Sequence, residues 1–328
     1  MTLPMITADE IFRHVGYADA VEALEEALRG ELDPAADHAR VATPMSSGEL
    51  LYMPSEAGGH AGMKLLSIAP ENPRRGRERI QGIYLLMDAE TLTPSALLDG
   101  IGLTALRTAS VSALAVKHLA PAKASRLVVF GSGPQARAHI EAVSAVRPIA
   151  EVVIIGRDGY KAEGLAAWAI ERGLRARIGQ AVPTKQALAD ADVVVCATTA
   201  AEPLFEDAWV RDGATVVAIG SHEPAKRELP AALLGRSAVV VEDRGTAMRE
   251  AGDVIMAAQE GAIARESLIG LRELVRGEAE LPAAGPRVFK SVGQSWEDLV
   301  LAAAIAGRVP RRAPRYPVGG IGRSRRLR

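Results

Sequence analysis

The stretch from Arg126 to Val143, RLVVFGSGPQARAHIEAV, runs from a β-branched segment into a helical pattern through a turn of small residues. Gly131 and Gly133 stand at the first two positions of a dinucleotide-binding fingerprint, and Ala136 stands at the third, which accepts alanine. Gly131 permits the tight turn, Gly133 lets the backbone approach a pyrophosphate, and Ala136 allows close packing of helix on sheet. The free N–H groups at the start of the helix attract the anion. Gly131, Ser132, Gly133, Pro134, Gln135 and Ala136 are therefore the expected phosphate cradle. The same glycines would serve a plain connection, but the alternating elements that follow favour the nucleotide. At the end of the next strand, IIGRDGYK sets Arg157 and Asp158 where the ribose is read. An arginine there accommodates a 2′-phosphate, which favours NADP over NAD. Thr198 and Gly220, ending later strands, are further expected cofactor contacts.

The elements that must hold this turn are legible around it. From Arg126 onward, RLVVF, EVVIIG, RARI, DVVVCATT, ATVVAIG and AVVVED alternate with helical stretches, the pattern of a parallel sheet covered on both faces. Before it, LLYMPSE, GMKLLSIAP, GIYLLMDAET and SALLDG are closely spaced and joined by turn residues, which predicts an antiparallel meander or open barrel. RTASVSALAVKHLA reads as a helix with Thr108 as a candidate N-cap. EDRGTAMREAGDVIMAAQEGAI reads as helical, and VFKSVGQSWEDLVLAAAIAGR as a strand or turn leading into a long helix that returns to the first half. The expected division is residues 1–118, joined by a returning segment from about 300 to 328, and residues 119–299.

Composition narrows the function classes. The chain has 328 residues, 48% apolar, enough for a large core. Its formal net charge of -1 supplies no field to recruit nucleic acid or an acidic membrane, so neither is expected as a partner. The single cysteine excludes an intrachain disulfide and fits a reducing compartment, with the cytoplasm as the expected location. The N-terminus does not read as a targeting segment, and no apolar run approaches a membrane span. No histidine–carboxylate spacing suggests a metal. His118 and His139, within helical patterns, read as surface or packing residues. The Arg-, Pro- and Gly-rich end, GRVPRRAPRYPVGGIGRSRRLR, reads as a solvated tail.

With GMKLLSIAPENP, LLDGIGLTALRTASVSALAVKHLA, VVFGSGPQARAHIEAV, VVAIGSHEPAKREL and VFKSVGQSWEDL in this order, the chain resembles the ornithine cyclodeaminase/mu-crystallin family over most of its length. The resemblance implies an α/β fold: a doubly wound Rossmann-type parallel sheet beside an α+β domain for substrate binding and dimerisation, in a homodimer. It implies that Lys64 is the active-site lysine and that Arg107 and Arg40 hold the substrate carboxylate, with Thr108 close to cofactor phosphate. A guanidinium pairs with a carboxylate through two parallel hydrogen bonds, and a desolvated lysine exchanges a proton near neutral pH. Lys64 could instead point outward from its strand, and Arg107 could pair with Asp99.

Cyclodeaminases of the family carry an aspartate where this chain has His222. The resemblance therefore points away from ornithine cyclodeamination and towards NAD(P)H-dependent reduction of a cyclic α-imino acid such as pyrroline-2-carboxylate or piperideine-2-carboxylate. Lys64 or His222 would manage the imine proton. The alternatives are an ornithine cyclodeaminase, an alanine or opine-type dehydrogenase, and a noncatalytic NADP-binding protein.

Overall fold

The computed structural model describes residues 3–310, Gln180 apart. The Arg-rich segment from residue 311 onward lies outside the described residues. The chain opens with β1 (Met5–Ile6), α1 (Ala8–His14) and α2 (Tyr17–Arg29), followed by β2 (Val41–Met45), β3 (Gly48–Ala57), β4 (His60–Ile68), β5 (Ile80–Asp88) and β6 (Pro94–Asp99). Strands β3 to β6 form the expected antiparallel meander, β2, which the sequence did not single out, extends it at one edge, and β1 adds to the other edge parallel to β6. Alternation along β4 turns Gly62, Lys64 and Leu66 to the buried face and Met63, Leu65 and Ser67 to the other. On that second face Leu50, Leu65 and the exposed Ile83 stand beside Ser67 and Gln81, with Ile80 at the strand end and Ile101 next to them.

Helix α3 (Gly100–Leu119) begins earlier than the sequence suggested. Thr108 is not an N-cap but a buried residue in the middle of the helix, because the Asp99 side chain accepts from Gly102 N at 2.6 Å and caps it there. Gly100 and Gly102 are positions of close approach. A Cβ on Gly100 would stand 2.8 Å from the Gly82 backbone, and one on Gly102 would stand 2.9 Å from Ala8.

The second sheet follows: β7 (Arg126–Phe130), α4 (Pro134–Val146), β8 (Glu151–Ile155), α5 (Gly159–Glu171), β9 (Arg175–Ile178), α6 (Thr184–Asp190), β10 (Val193–Cys196), β11 (Thr215–Ala218), α7 (Ala231–Gly235), β12 (Ala238–Val241), α8 (Arg244–Glu250), α9 (Gly252–Gln259), β13 (Ile269–Gly270), α10 (Leu271–Arg276) and β14 (Arg287–Lys290). Its order is β13-β12-β14-β11-β10-β7-β8-β9, with every pairing parallel. The chain runs outward from β7 through β8 and β9, then returns to lay β10 on the other side of β7. This reversal opens a crevice at the carboxyl ends of β7 and β10, where open parallel sheets bind ligands.

The helical stretch after β12 is broken at Ala251, where α8 ends and α9 begins. Gly252 lies so close to the Lys226 carbonyl that no side chain fits. The last helix, α11 (Ser295–Arg308), packs against α2, α3, β3 and β4 of the first half. Helix α3 is buried along most of its length, so one apolar core runs from Leu24, Tyr84 and Leu98 through Leu106 and Leu114 to Leu127 and Val195.

Candidate active site

Where α3 and α11 cross the first sheet, five charged side chains are buried together. Lys64 is fully enclosed, flanked by Met53 and Tyr84 on the neighbouring strands. Its Nζ donates to Asp298 Oδ2 at 2.6 Å and to Thr104 Oγ1 at 3.3 Å. Burial first, and the positive charge of Arg107 next, bring the Lys64 pKa down to about 8 against the pull of Asp298. The outward orientation considered for Lys64 is thus not the one adopted.

Arg107 does not pair with Asp99, which is occupied as a helix cap. Its Nη1 donates to Glu297 Oε2 at 2.8 Å, and its Nε lies 3.7 Å from Asp298 Oδ1. Burial opposes the Arg107 charge, but Asp298 and Glu297 outweigh that effect and raise its pKa. Burial also pushes the Glu297 carboxyl well above the usual range, and the hydrogen-bonded Glu242 beside it adds to the rise. The Arg107 guanidinium opposes that rise in Glu297, and the same contact raises the pKa of Arg107.

Glu242 orders the turn that roofs this cluster. It accepts from Ser291 Oγ at 2.6 Å, Val292 N at 3.0 Å and Gly293 N at 2.8 Å. Gly293 has φ +75 and lies directly against the Arg107 guanidinium, so a Cβ there would collide with Nη1. The carbonyls of Val292 and Gly293 accept from Arg40 Nη2 at 3.0 and 2.6 Å, and Glu250 pairs with the same nitrogen at 2.9 Å. Arg40 thus ties the first half to the second. His222 is exposed, at the rim beyond β11. Desolvation by the protein it does touch, and then the charge of Arg40, lower its pKa.

Three buried polar atoms of this cluster have no hydrogen-bond partner: Tyr84 Oη, Arg107 Nε and Asp298 Oδ1. Such atoms are costly unless something polar completes them. Together with the paired cations, they leave a buried site whose polar atoms a small polar ligand would complete.

The crevice at β7 fits a dinucleotide. Gly131 has φ +112, and a Cβ on it would strike the Ala197 carbonyl, whereas a Cβ on Gly133 would meet nothing within 4 Å. The first glycine is needed for the turn, and the second leaves open space above it. Ser132, Gly133 and Pro134 are accessible at the N-terminus of the 13-residue α4, Ala136 is buried, and Gln135 Oε1 is enclosed without a partner. Across the crevice, Arg157 Nη2 donates to Thr199 Oγ1 at 3.3 Å, beside Thr198. Asp158 is turned to its own helix, where it accepts from Lys161 N at 3.2 Å as the cap of α5. Arg157 is left as the charged side chain that faces the crevice there.

Sequence reasoning missed Tyr84, Glu242, Gly293, Glu297 and Asp298. The available signal was Glu297–Asp298 side by side in the otherwise apolar WEDLVLAAAIA. Acids in a first helical turn ordinarily complement the helix dipole, which hid their burial. No group of His, Cys, Asp and Glu among the described residues could hold a metal.

A profile described as the ornithine cyclodeaminase/mu-crystallin family matches residues 2–312. A Delta(1)-pyrroline-2-carboxylate reductase from Bacillus thuringiensis subsp. konkukian is 35% identical over 266 residues, 77% of this chain and 79% of that protein. Among solved structures, the Delta(1)-pyrroline-2-carboxylate reductase of Thermococcus litoralis, in complex with NADH and L-proline, superposes with a TM-score of 0.85 at 26% identity. That match covers 93% of this chain and 97% of the other. An archaeal alanine dehydrogenase dimer with bound NAD gives 0.86 at 27% identity, covering 94% and 96%.

Proposed function

This chain belongs to the ornithine cyclodeaminase/mu-crystallin family, and from that premise we propose that it reduces the C=N bond of a small cyclic α-imino acid, of the pyrroline-2-carboxylate or piperideine-2-carboxylate type, to the cyclic L-amino acid. The observation that carries the reading is Lys64: fully buried, with its pKa brought down to about 8, beside an Arg107 that donates to the buried Glu297 at 2.8 Å. Bound NAD(P)H supplies the hydride. Arg107, with Arg40, receives the carboxylate and fixes the position of the adjacent carbon. The Lys64 ammonium gives its proton to the imine nitrogen, and Asp298 holds that ammonium in place. The cluster is shut away from water, which strengthens each of these interactions. His222, in place of the family's aspartate, has no carboxylate to handle a second amine, which argues against cyclodeamination; its ring is available at the rim to orient the substrate or carry a proton.

Similarity to pyrroline-2-carboxylate reductases supports the same substrate class. Arg157, with Asp158 committed to its helix cap, favours NADP over NAD. Residues 1–118 with the returning segment from about 300 serve as the substrate half and residues 119–299 as the cofactor half, except that α11 begins at Ser295 and carries Glu297 and Asp298 to the substrate side. The patch where Leu50, Leu65, Ile80, Ile83 and Ile101 lie together, with Ser67, Gln81 and Asp99 among them, suits a homodimer contact. No described helix is long and apolar enough to cross a membrane, and the buried thiol of Cys196 suits the cytoplasm.

The test follows nicotinamide absorbance with NADPH or NADH and each cyclic imine, beside L-ornithine with NAD assayed for proline and ammonia. Reduced cofactor disappears with the imines, faster for NADPH. Proline and ammonia from ornithine, with no turnover of the imines, would overturn the assignment in favour of a cyclodeaminase.

A further inference from the structure

A second group of buried charges lies under the crevice, apart from Lys64. Glu228, fully buried in the loop between β11 and α7, reaches two turns at once. Its Oε1 accepts from Thr198 N at 2.9 Å and Thr198 Oγ1 at 2.7 Å in the turn after β10. Its Oε2 accepts from Gly220 N at 2.7 Å in the turn after β11. The two turns touch: a Cβ on Gly220 would collide with the Thr198 carbonyl and stand 2.5 Å from Glu228 Oε1. Glu228 is itself fixed from behind. Asp253 Oδ1 accepts from Glu228 N at 2.7 Å and Leu229 N at 2.8 Å. Asp253 Oδ2 faces Lys290 Nζ at 3.1 Å, and Lys290 Nζ donates to the Ser221 carbonyl at 2.5 Å. The contacts close a ring from Gly220–Ser221 through Lys290, Asp253 and Glu228 back to Gly220.

From this ring we infer that Glu228 is a positioning residue for the dinucleotide, clamping the turns after β10 and β11 into one rigid wall of the crevice. A carboxylate is required because both oxygens face N–H donors. A glutamine would satisfy one turn and set its own NH2 against the N–H of the other. The inference rests on the dinucleotide reading of the crevice. Glu228 lies behind the wall, so its effect reaches the ligand through Thr198 and Gly220.

The experiment titrates the full chain with NADH and with NADPH, following cofactor fluorescence, and separately measures kcat and both KM values. Glu228→Gln raises the dinucleotide Kd roughly tenfold, the loss expected for one hydrogen bond to a charged group. It leaves the imino-acid KM unchanged and kcat at saturating cofactor within about threefold. Glu228→Asp, which keeps the buried charge but is one methylene too short to reach both turns, weakens dinucleotide binding in the same way if Glu228→Gln does not fold. Leu234→Ala, a cavity in the core below α7, serves as the control, lowering Tm while leaving the Kd alone. Wild-type affinity in both Glu228 variants would overturn the inference, as would a loss matched by Leu234→Ala. A wild-type chain that binds neither dinucleotide would instead remove the reading on which the inference rests.

Discussion

Lys64 and Lys290 invite comparison: each is a fully buried lysine paired with a buried aspartate, at 2.6 Å to Asp298 and 3.1 Å to Asp253. Their surroundings differ. Lys290 spends its charge on architecture, donating to the Ser221 carbonyl while Asp253 holds two backbone N–H groups. Lys64 has only a 3.3 Å hydroxyl as its second partner, and the unpartnered Tyr84 Oη, Arg107 Nε and Asp298 Oδ1 lie in the same cluster. Burial and a carboxylate partner therefore do not identify a reactive lysine. The Lys290 site leaves one such atom, Asp253 Oδ2, against three around Lys64, and what separates the two lysines is the backbone that Lys290 and Asp253 hold.

The comparison breaks most readily at the lysines themselves. Lys64→Met should lower kcat for imine reduction roughly 10²- to 10⁴-fold, the share of a general acid, with a folded protein by circular dichroism. Lys290→Met should act on stability instead, costing about 3–5 kcal/mol in denaturant melts because Asp253 is left buried without its cation. Equal kcat losses in the two variants at matched folded fraction would erase the distinction. Arg107→Lys keeps the charge but loses the planar fork, and the imino-acid KM should rise about tenfold or more. A variant with unchanged KM would move the carboxylate away from Arg107. The smallest effect is that of pH. Lys64 donates as the ammonium and its pKa is brought down to about 8, so reductive kcat/KM should be level below that pH and fall above it, approaching tenfold per pH unit. Oxidation of the cyclic amino acid needs the free amine and should rise through the same pH. A profile flat to about pH 10, where an unperturbed lysine would titrate, would show that burial does not lower the Lys64 pKa.

The cofactor half was largely legible in sequence because a parallel sheet buried on both faces must be built of short β-branched runs, and its first turn needs Gly131 for a φ that other residues avoid. Lys64 and Arg107 were legible through the blocks around them. Their partners were not, because Glu242, Glu297 and Asp298 come from the end of β12 and from α11, far along the chain, and an acid beginning a helix looks the same whether it faces water or a guanidinium. Glu228 in AKREL reads as a surface charge, and only the return of β11 beside β10 brings the two turns within its reach. Thr108 was misplaced as a cap for a related reason: the glycines before it mark contacts with β5 and α1 that sequence does not display.

Helix α3 belongs to both halves, buried on the meander at one end and under the parallel sheet at the other. A chain divided by function into two parts is thereby joined in its thermodynamics. Separating the halves would strip apolar cover from Leu103 and Leu106 as well as from Val111 and Leu114, and neither piece retains a complete core. Melting is therefore expected as a single cooperative transition, and a cut between the sheets should yield no autonomous fragment.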